Sequence, residues 1–253
     1  MDTDAARSRF PRGLYQPEQG FRFSADALLL SAFAHPGTKG EIIDLGCGCG
    51  VVGLGLVLFN LDCDLRLKAV DREPEMIELG RKNARLLGLD RDVILEQIDL
   101  GREQKKLPNE AFDLALANPP YHARGSGRVP AQAGIEAGAF EDQDREGLEV
   151  FLSAAKRVLK NKARICLVYR SERIQEVLTH MDKHRLRVKR IRFVHGRQNQ
   201  KSRLVLLEGT KNAAPGGCSL EPPLILYHGT QLTEQAGRFC PFLKCNPERG
   251  KDI

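Results

Sequence analysis

The pattern with the clearest chemical meaning is Asn118-Pro119-Pro120-Tyr121, which directly follows the apolar run 112–117. Proline removes a backbone donor and fixes φ, and Pro120 biases Pro119 towards an extended conformation, so the Pro119 carbonyl has a fixed direction. The Asn118 side chain and this carbonyl are two adjacent acceptors, which match the two hydrogens of an amino group conjugated to a ring or a carbonyl. Tyr121 offers a flat face on which a planar base can stack. We therefore interpret these four residues as catalytic.

The chemistry that this motif favours is methyl transfer to a poorly nucleophilic nitrogen. Two acceptors on the amino hydrogens favour a pyramidal nitrogen, whose lone pair can attack a methylsulfonium carbon. The same two oxygens stabilise the positive charge that develops on the nitrogen, so no general base is needed before transfer. A turn that only ends a strand is the weaker interpretation, because Asn118 and Tyr121 flank the prolines.

A glycine-dense loop follows the apolar run that ends at Leu45, and it predicts a nucleotide-like ligand. Glycines at 48, 50 and 53 match the G-x-G-x-x-G of dinucleotide enzymes. Asp44 with the glycines at 46, 48 and 50 instead forms D-x-G-x-G-x-G, the pattern of S-adenosylmethionine sites. The spacing alone leaves both ligands open.

Two aspartates follow the next two predicted strands. Asp71 comes after the run 65–70 and Asp99 after the run 93–98. A carboxylate at the end of the second strand can accept both hydroxyls of a ribose. Asp99 suits a nucleoside whose adenine amine needs an acceptor. Either residue alone could cap a helix, but together they favour a bound ligand.

Apolar runs typical of buried parallel strands alternate with segments of helical period, which predicts an α/β fold with helices on both faces of the sheet. Such sheets bind ligands at the carboxyl ends of their strands, where all the motifs above fall. The predicted strands are 41–45, 65–70, 93–98, 112–117, 164–169, 187–194 and 203–208, with the last two antiparallel, and 224–227 is strand-like. The predicted helices are 25–34, 51–59, 74–87, 145–159 and 171–184, and 123–138 is predicted to be a long loop.

Charge is distributed unevenly along the chain. The formal net charge is +6, but residues 151–210 alone contain 16 Lys and Arg against four Asp and Glu. This asymmetry indicates an anionic partner, with nucleic acid the leading candidate, over the alternative of a solvated basic helix face.

The length and composition are those of an ordinary soluble globular protein. The 253 residues are 42% hydrophobic and 28% charged, which excludes a disordered or fibrous chain. The seven cysteines have no regular spacing, we do not expect 1–10 to be a signal peptide, and no apolar run is long enough to span a bilayer. Cys218, His228, Cys240 and Cys245 fit no standard zinc spacing. We expect a cytoplasmic protein without membrane association, metal site or stable protein partner.

Taken in order, the motifs resemble those of class I S-adenosylmethionine-dependent amino-methyltransferases. This resemblance covers residues 39–210 and implies a Rossmann-like, seven-stranded, mostly parallel sheet with a terminal antiparallel hairpin. The segments 19–30, 192–195, 204–209 and 222–227 are similar to those of the bacterial tRNA (valine) adenine-N6 methyltransferases, which modify a valine tRNA beside its anticodon. The motifs that carry the resemblance are Asp44-x-Gly46-x-Gly48-x-Gly50, Asp71, Asp99 and Asn118-Pro119-Pro120-Tyr121.

The resemblance implies a role for each motif. The three loop glycines would line the methionine and ribose of S-adenosylmethionine, Asp71 would take the ribose hydroxyls, and Asp99 would face the donor adenine. Asn118 would hold the target amine and Tyr121 would stack on the target base. Residues 1–38 would form a lead-in with a helix that covers the cofactor site, 39–210 the methyltransferase domain, and 211–253 a C-terminal tail. The expected cofactor-binding residues are Asp44, Gly46, Gly48, Gly50, Asp71, Asp99 and Asn118.

A tRNA substrate would explain the excess of cations in residues 151–210. These cations alternate along the last hairpin and could contact phosphates while a single-stranded loop base enters the site. The expected RNA-binding residues are Arg187, Lys189, Arg190, Arg192, Arg197, Lys201 and Arg203.

The expected function is therefore methylation of the N6 amine of an adenine in the anticodon-loop region of tRNA. Enzymes that methylate the glutamine amide of release factors share the motif, but they usually carry a helical domain before the sheet. A guanine-N2 rRNA enzyme is a further alternative. A dehydrogenase would need a hydride-transfer site that we do not find, and the intact motif argues against a pure RNA-binding protein.

Overall fold

The computed structural model describes residues 3–18, 24–120 and 139–245, except for the side chains of residues 139–146 and 245. The strands are β1 (Lys39–Leu45), β2 (Asp64–Asp71), β3 (Val93–Gln97), β4 (Phe112–Ala117), β5 (Leu159–Arg170), β6 (Leu186–Arg197), β7 (Ser202–Lys211), β8 (Ser219–Leu220), β9 (Leu224–His228) and β10 (Gln231–Leu232). The α-helices are α1 (Thr3–Ser8), α2 (Ala25–Phe33), α3 (Val51–Phe59), α4 (Pro74–Leu86), α5 (Leu100–Glu103), α6 (Ala139–Val158), α7 (Ile174–Lys183) and α8 (Glu234–Phe239).

All the strands belong to one sheet, with the order β10-β9-β6-β7-β5-β4-β1-β2-β3 and with β8 paired to β6. Strands β1 to β5 are parallel, and β7 is antiparallel to both β5 and β6. The predicted Rossmann-like α/β fold and its terminal antiparallel hairpin are therefore confirmed. The seven strands β1 to β7 continue into three short strands from the C-terminal segment.

Helices cover the two faces of the sheet with separate apolar clusters. One cluster contains residues of α2, α3 and α4, and the other contains residues of α6 and α7. Helix α3 is apolar almost all round because it lies between the sheet and α2, where Ser31 and Phe10 approach within 3.4 Å of a Cβ built on Gly55. Such a helix has no solvent face, which explains its lack of charge.

Three elements differ from the sequence-based boundaries. Helix α6 begins at Ala139, earlier than predicted, and β5 begins at Leu159 because an irregularity between Leu159 and Arg164 lengthens it. The segment after 211 holds β8, β10 and α8 besides the expected strand β9. The predicted loop 123–138 lies outside the described residues.

The C-terminal segment packs on the same face as the N-terminal one. The Phe242 ring lies 4.7 Å from that of Phe10 and 4.3 Å from that of Phe59, centroid to centroid. The Cys240 thiol contacts the Leu28 carbonyl oxygen of α2 at 3.5 Å. None of the helices in the described parts of the chain has the length and apolar character needed to cross a membrane.

Candidate active site

The predicted site residues lie in a row where the parallel strands end, which we call the carboxyl edge. Strand β1 pairs with β4 on one side and β2 on the other, and the three strands finish level with one another. Gly46 follows β1, Asn118 follows β4, and Asp71 is the last residue of β2. Neighbouring strands are about 4.8 Å apart, so these three residues are adjacent. Asp99 lies one strand further out, two residues after β3.

The loop glycines all have left-handed backbones, with φ of 67° at Gly46, 55° at Gly48 and 89° at Gly50. Glycine adopts this conformation without the strain that a Cβ would cause. The space around them differs. A Cβ on Gly46 would lie 2.6 Å from the Phe151 ring, whereas a Cβ on Gly48 would meet nothing within 4 Å. The loop is thus packed at its first glycine and open at its second.

Asp44 lies beneath the loop and is 1% exposed. Its Oδ2 accepts a hydrogen bond of 2.9 Å from the Gly53 backbone N–H in the first turn of α3. Burial raises the pKa of this carboxyl to about 7, against the lowering effect of the Gly53 N–H, and nearby Asp71 raises the pKa further. This carboxyl therefore joins the end of β1 to α3 and sets the position of the loop from below.

Asp71 connects the loop to the start of α4. Its Oδ2 accepts from the Gly48 N–H at 2.8 Å and its Oδ1 accepts from the Glu73 N–H at 3.0 Å. The side chain is half-buried. Each carboxylate oxygen has two lone pairs, so both can still accept a hydroxyl.

Asp99 is the N-cap of α5, and its Oδ1 accepts from the Gly101 N–H at 2.9 Å. Arg102 lies 3.8 Å from its other oxygen, Oδ2. The alternative that the sequence left open, a helix cap, is therefore present at Asp99. Contact of this residue with a ligand stays a prediction.

Asn118 is half-buried, Pro119 is buried and Pro120 is exposed at the end of β4. No hydrogen bond joins the Asn118 amide to any other described side chain or backbone group, so this amide is available to a ligand. Tyr121 lies outside the described residues.

Asn83 is a buried residue of the site region that the sequence did not reveal. Its Oδ1 accepts from the Tyr15 N–H at 2.7 Å, and its Nδ2 donates to the Tyr15 carbonyl at 3.0 Å and to the Cys49 carbonyl at 2.9 Å. One side chain thus ties the N-terminal segment to the glycine loop. An asparagine inside a helix is uncommon, which was the available signal.

Five of the seven expected RNA-binding cations are engaged within the protein, and Arg190 and Arg192 are two of these. Arg190 pairs with Glu208 at 2.9 Å and with Glu221 at 3.2 Å. Its guanidinium carbon also lies 3.7 Å from the Phe33 ring centroid. Arg192 lies 3.5 Å from Glu221 and stacks on Phe239. Both guanidinium groups are used in contacts between β6 and the residues packed against it, so we do not retain Arg190 and Arg192 as RNA contacts.

Of the other five expected RNA contacts, three have partners within the protein and two, near the turn of the β6–β7 hairpin, do not have an ion pair in the described structure. Arg187 pairs with Asp182, and Lys189 donates to the carbonyls of Ala214 and Gly216. Arg197 donates to the Gly229 carbonyl at 3.1 Å. Lys201 and Arg203 are exposed at the carboxyl edge. No ion pair joins either of these two to another residue of the described chain.

A cavity of about 680 Å³ opens at the carboxyl edge beside these two cations. It lies where β5 ends and the β6–β7 hairpin turns, between one and three strands from β4. Arg170 and the Phe193 ring also line it. Cations around an aromatic face suit a base with its phosphate.

Comparison with known proteins gives the family. The model of the methyltransferase small domain matches residues 24–193, about two thirds of the chain. The MTRF1L release factor glutamine methyltransferase of Homo sapiens is 32% identical over 143 residues, covering 54% of this chain and 41% of that protein. The tRNA1(Val) (adenine(37)-N6)-methyltransferase of Actinobacillus succinogenes is 31% identical over 104 residues, covering 41% of this chain and 43% of that protein. Further relatives are named ribosomal RNA small subunit methyltransferase C. The matched regions span less than half the length of these curated relatives.

A solved structure shares the fold. The predicted O-methyltransferase Atu636 of Agrobacterium tumefaciens superposes with a TM-score of 0.67 and 18% identity, covering 86% of this chain and 96% of that one. At this identity the likeness concerns the fold alone. The family match accounts for the glycine loop and the carboxyl edge together, and it confirms S-adenosylmethionine as the cofactor. The chain belongs to the methyltransferase small domain family.

Proposed function

We propose that this protein is an S-adenosylmethionine-dependent N-methyltransferase that acts on the N6 amine of an adenine in tRNA, in the anticodon-loop region. The observation that carries the proposal is the position of Asn118. Its amide has no hydrogen-bond partner among the described residues, and it stands at the carboxyl edge next to Gly46 of the glycine loop. An amine held there would lie beside the cofactor loop.

The carboxyl edge fits the cofactor on three points. The Gly48 backbone faces open space, where a ligand can approach closely. Asp71 retains lone pairs for two hydroxyls after accepting its two backbone bonds. The row from Asp99 to Asn118 crosses three strand spacings, or about 15 Å, which is long enough for a nucleoside with an amino-acid arm.

In this proposal Gly46, Gly48 and Gly50 hold the cofactor through their backbone, and Asp71 accepts the ribose hydroxyls. Asp99 accepts from the adenine amine, and Asp44 acts through the loop that it supports. S-adenosylmethionine, when bound, supplies an electrophilic methyl group.

The residues after β4 hold the acceptor. The Asn118 side-chain oxygen and the Pro119 carbonyl accept the two hydrogens of the amine, which directs the nitrogen lone pair towards the cofactor side. They also stabilise the positive charge that develops on nitrogen, and the extra proton leaves afterwards to water. Tyr121 is proposed to stack on the target base.

An RNA substrate is favoured over a protein substrate by the charge at the carboxyl edge. Lys201 and Arg203 are exposed without ion pairs in the described structure and line a cavity that also contains Phe193. A glutamine amide would need neither the cations nor the aromatic face. The resemblance of the segment 19–30 to the tRNA adenine enzymes supports tRNA over ribosomal RNA.

The test is incubation with methyl-labelled S-adenosylmethionine and, separately, total tRNA, ribosomal RNA and a release factor. Digestion of labelled RNA to nucleosides identifies the product. We expect label in N6-methyladenosine from tRNA. Label only in protein, or only in N2-methylguanosine, would contradict the proposal.

A second test concerns the RNA contact at the edge. The double variant Lys201→Gln, Arg203→Gln should raise the KM for tRNA by about tenfold and leave the cofactor Kd unchanged, since each lost phosphate contact costs about 0.7 kcal/mol. The matched control is Arg66→Gln, Arg91→Gln, which removes two exposed cations from the β2–β3 side of the sheet.

A further inference from the structure

A second basic cavity lies at the opposite end of the sheet from the candidate active site. It has a volume of about 620 Å³ and lies at the amino ends of the parallel strands β4, β5 and β6 and at the end of β7. We call it the amino-edge pocket. The charged residues that line it are Lys105, Glu110, Lys156, Arg157, Arg185 and Lys211.

Cations outnumber anions strongly in this pocket. Lys105, Lys156 and Arg185 are exposed, and Arg157 is half-buried. No ion pair joins any of these four to another residue in the described parts of the chain. The Glu110 carboxylate is paired with a fifth cation, because its Oε1 lies 2.8 Å from the Lys211 Nζ. The pocket thus presents four uncompensated positive charges from three separate segments of the chain.

The wall of the pocket also contains a donor that the protein does not use. The Nε of Arg157 is buried and has no hydrogen-bond partner among the described residues. Buried donors are nearly always paired, so the Arg157 guanidinium is not fully compensated within the described structure and contributes its charge to the pocket. The floor, by contrast, is fixed. Lys211 is 5% exposed and donates to the Leu159 carbonyl at 2.7 Å.

The backbone around the pocket is left-handed without glycine. Among the described residues, the positive-φ positions that are not glycine number four: Glu110 at 51°, Lys162 at 64°, Arg185 at 57° and Asn212 at 54°. Glu110, Arg185 and Asn212 line the pocket, and the Lys162 Nζ donates to the Asn212 carbonyl at 2.6 Å. Glycine would relieve the strain at each position. A charged side chain retained at a strained position is a reason to look for a ligand.

We propose that the amino-edge pocket binds phosphate groups of the RNA substrate, at a distance from the base that is methylated. This inference rests on the proposed function, since it names a second contact of the same substrate. Eight residues of extended chain separate Glu110 from Asn118, which is about 25 Å. Only a polymer can occupy both edges at once, so the pocket adds affinity for whole tRNA and none for a short RNA.

The alternative ligand with the same chemistry is a small free phosphate anion, which the pocket is large enough to hold. Four cations spread over three segments, around an open cavity, suit several phosphates of one backbone better than a single ion. Binding of this kind depends steeply on salt, because phosphate contacts release counterions.

The test uses the double variant Lys105→Gln, Lys156→Gln, with Arg66→Gln, Arg91→Gln as its matched control. Binding of whole tRNA, of an anticodon-size hairpin and of pyrophosphate is measured by titration over a range of salt concentrations. We expect the pocket variant to bind whole tRNA about tenfold more weakly, with the slope of log K against log salt reduced in magnitude by about 2. Hairpin affinity and the cofactor Kd should stay at the values of the unmodified protein.

Arg185→Gly separates ligand binding from stability. Glycine removes the left-handed strain, so the Tm should rise, while whole-tRNA affinity falls about threefold with the loss of one phosphate contact. A structural role alone would move the Tm and leave the affinity unchanged.

Several outcomes would overturn the inference. The first is a pocket variant that binds whole tRNA as tightly as the unmodified protein does. The second is an equal loss of affinity for the RNA hairpin, or an equal loss of tRNA affinity in the control variant. The third is a pocket variant that no longer binds pyrophosphate but retains its tRNA affinity. The proposed function fails differently, by the absence of methyl transfer to RNA in the unmodified protein, and the binding measurements do not depend on that result. Tighter binding of an acidic peptide than of tRNA would also overturn the assignment to RNA.

Discussion

The two edges of the sheet each contain one buried ionisable side chain, an acid at one edge and a base at the other. Asp44 under the carboxyl edge accepts from a backbone N–H and has no cation beside it in the described structure, whereas Lys211 under the amino edge has both a carboxylate and a carbonyl. The left-handed backbone follows the same division. It is made by glycine in the loop 46–50 at the carboxyl edge, and by charged residues or asparagine around the amino-edge pocket.

This difference indicates two ways of preparing a surface for a ligand. Glycines in the loop 46–50 remove side chains so that a ligand can reach the backbone. At the amino edge the chain keeps long cationic side chains, although the backbone there would be less strained with glycine. The first arrangement suits a small ligand held closely, and the second suits a polyanion held through its charge.

The largest expected effect is the pH dependence of stability that Asp44 causes. Its folded-state pKa of about 7 is above the ordinary value of 3.8, so the fold favours the protonated form. The associated stability is present below pH 3.8 and is lost as the pH rises through about 7. At each pH the free energy of unfolding of the unmodified protein is compared with that of Asp44→Asn. The difference should fall between pH 4 and pH 8 by at most about 4 kcal/mol.

Urea unfolding of the cofactor-free protein across this range measures the difference. Asp113→Asn is the control with the opposite sign. Burial opposes ionisation of Asp113, but the Lys160 side chain and the Glu41 N–H together lower its pKa, so its contribution is lost as the pH falls. Parallel stability curves for Asp44→Asn and the unmodified protein would contradict the account of the carboxyl edge.

At the amino edge the matching change is Lys211→Met, which keeps the aliphatic contacts and removes the charge. The Leu159 carbonyl loses its donor, while Glu110 is half exposed and regains water. We expect a loss of about 2 kcal/mol in the free energy of unfolding. Lys160→Met, which removes one side of the exposed Lys160–Asp113 pair, should cost under about 0.5 kcal/mol. Equal losses would remove the distinction between the two lysines.

A third prediction compares two glycines of the loop. Gly46→Ala and Gly48→Ala impose similar left-handed strain, but only the first places a methyl group against the Phe151 ring. Gly46→Ala should therefore be less stable than Gly48→Ala by about 1–2 kcal/mol. Gly48→Ala should instead weaken cofactor binding, because its methyl group enters the open space over the loop. Thermal unfolding and titration with S-adenosylmethionine give the two quantities, and a reversed order of stability would refute the assignment.

The smallest expected effect is at Lys162, where Lys162→Gly relieves a φ of 64° at an exposed position. We expect a gain of about 0.5 kcal/mol, since the relief exceeds the loss of one exposed hydrogen bond. Ala163→Gly, one residue along, should lose a similar amount. Denaturant unfolding of the two variants checks the sign, and a loss at Lys162→Gly would show that the position is unstrained.

The sequence predicted best where a single residue type controls the backbone. The ends of α3 and β4 agree with prediction because a left-handed glycine begins the helix and two prolines follow the strand. The order of motifs along the carboxyl edge was also predictable, since strand ends of a parallel sheet must lie side by side. The two-residue strands β8 and β10 are too short to have a pattern of their own.

The sequence predicted worst where the partners come from distant segments. Arg190 and Arg192 look like part of a free basic stripe until Glu208 and Glu221, from β7 and the segment before β9, are placed beside them. The amino-edge pocket is assembled from turns and helix ends far apart in the chain, and none of these has glycine to indicate its left-handed backbone.

The most direct test of the central claim, that the carboxyl edge holds an amine for methylation, is the turnover of Asn118→Ala with S-adenosylmethionine and tRNA. The account predicts that kcat falls by about 100- to 1000-fold, because one of two acceptors on the amine is lost, while the variant still binds the cofactor and its Tm stays close to that of the unmodified protein. Unchanged turnover in a variant that still binds the cofactor would contradict the claim.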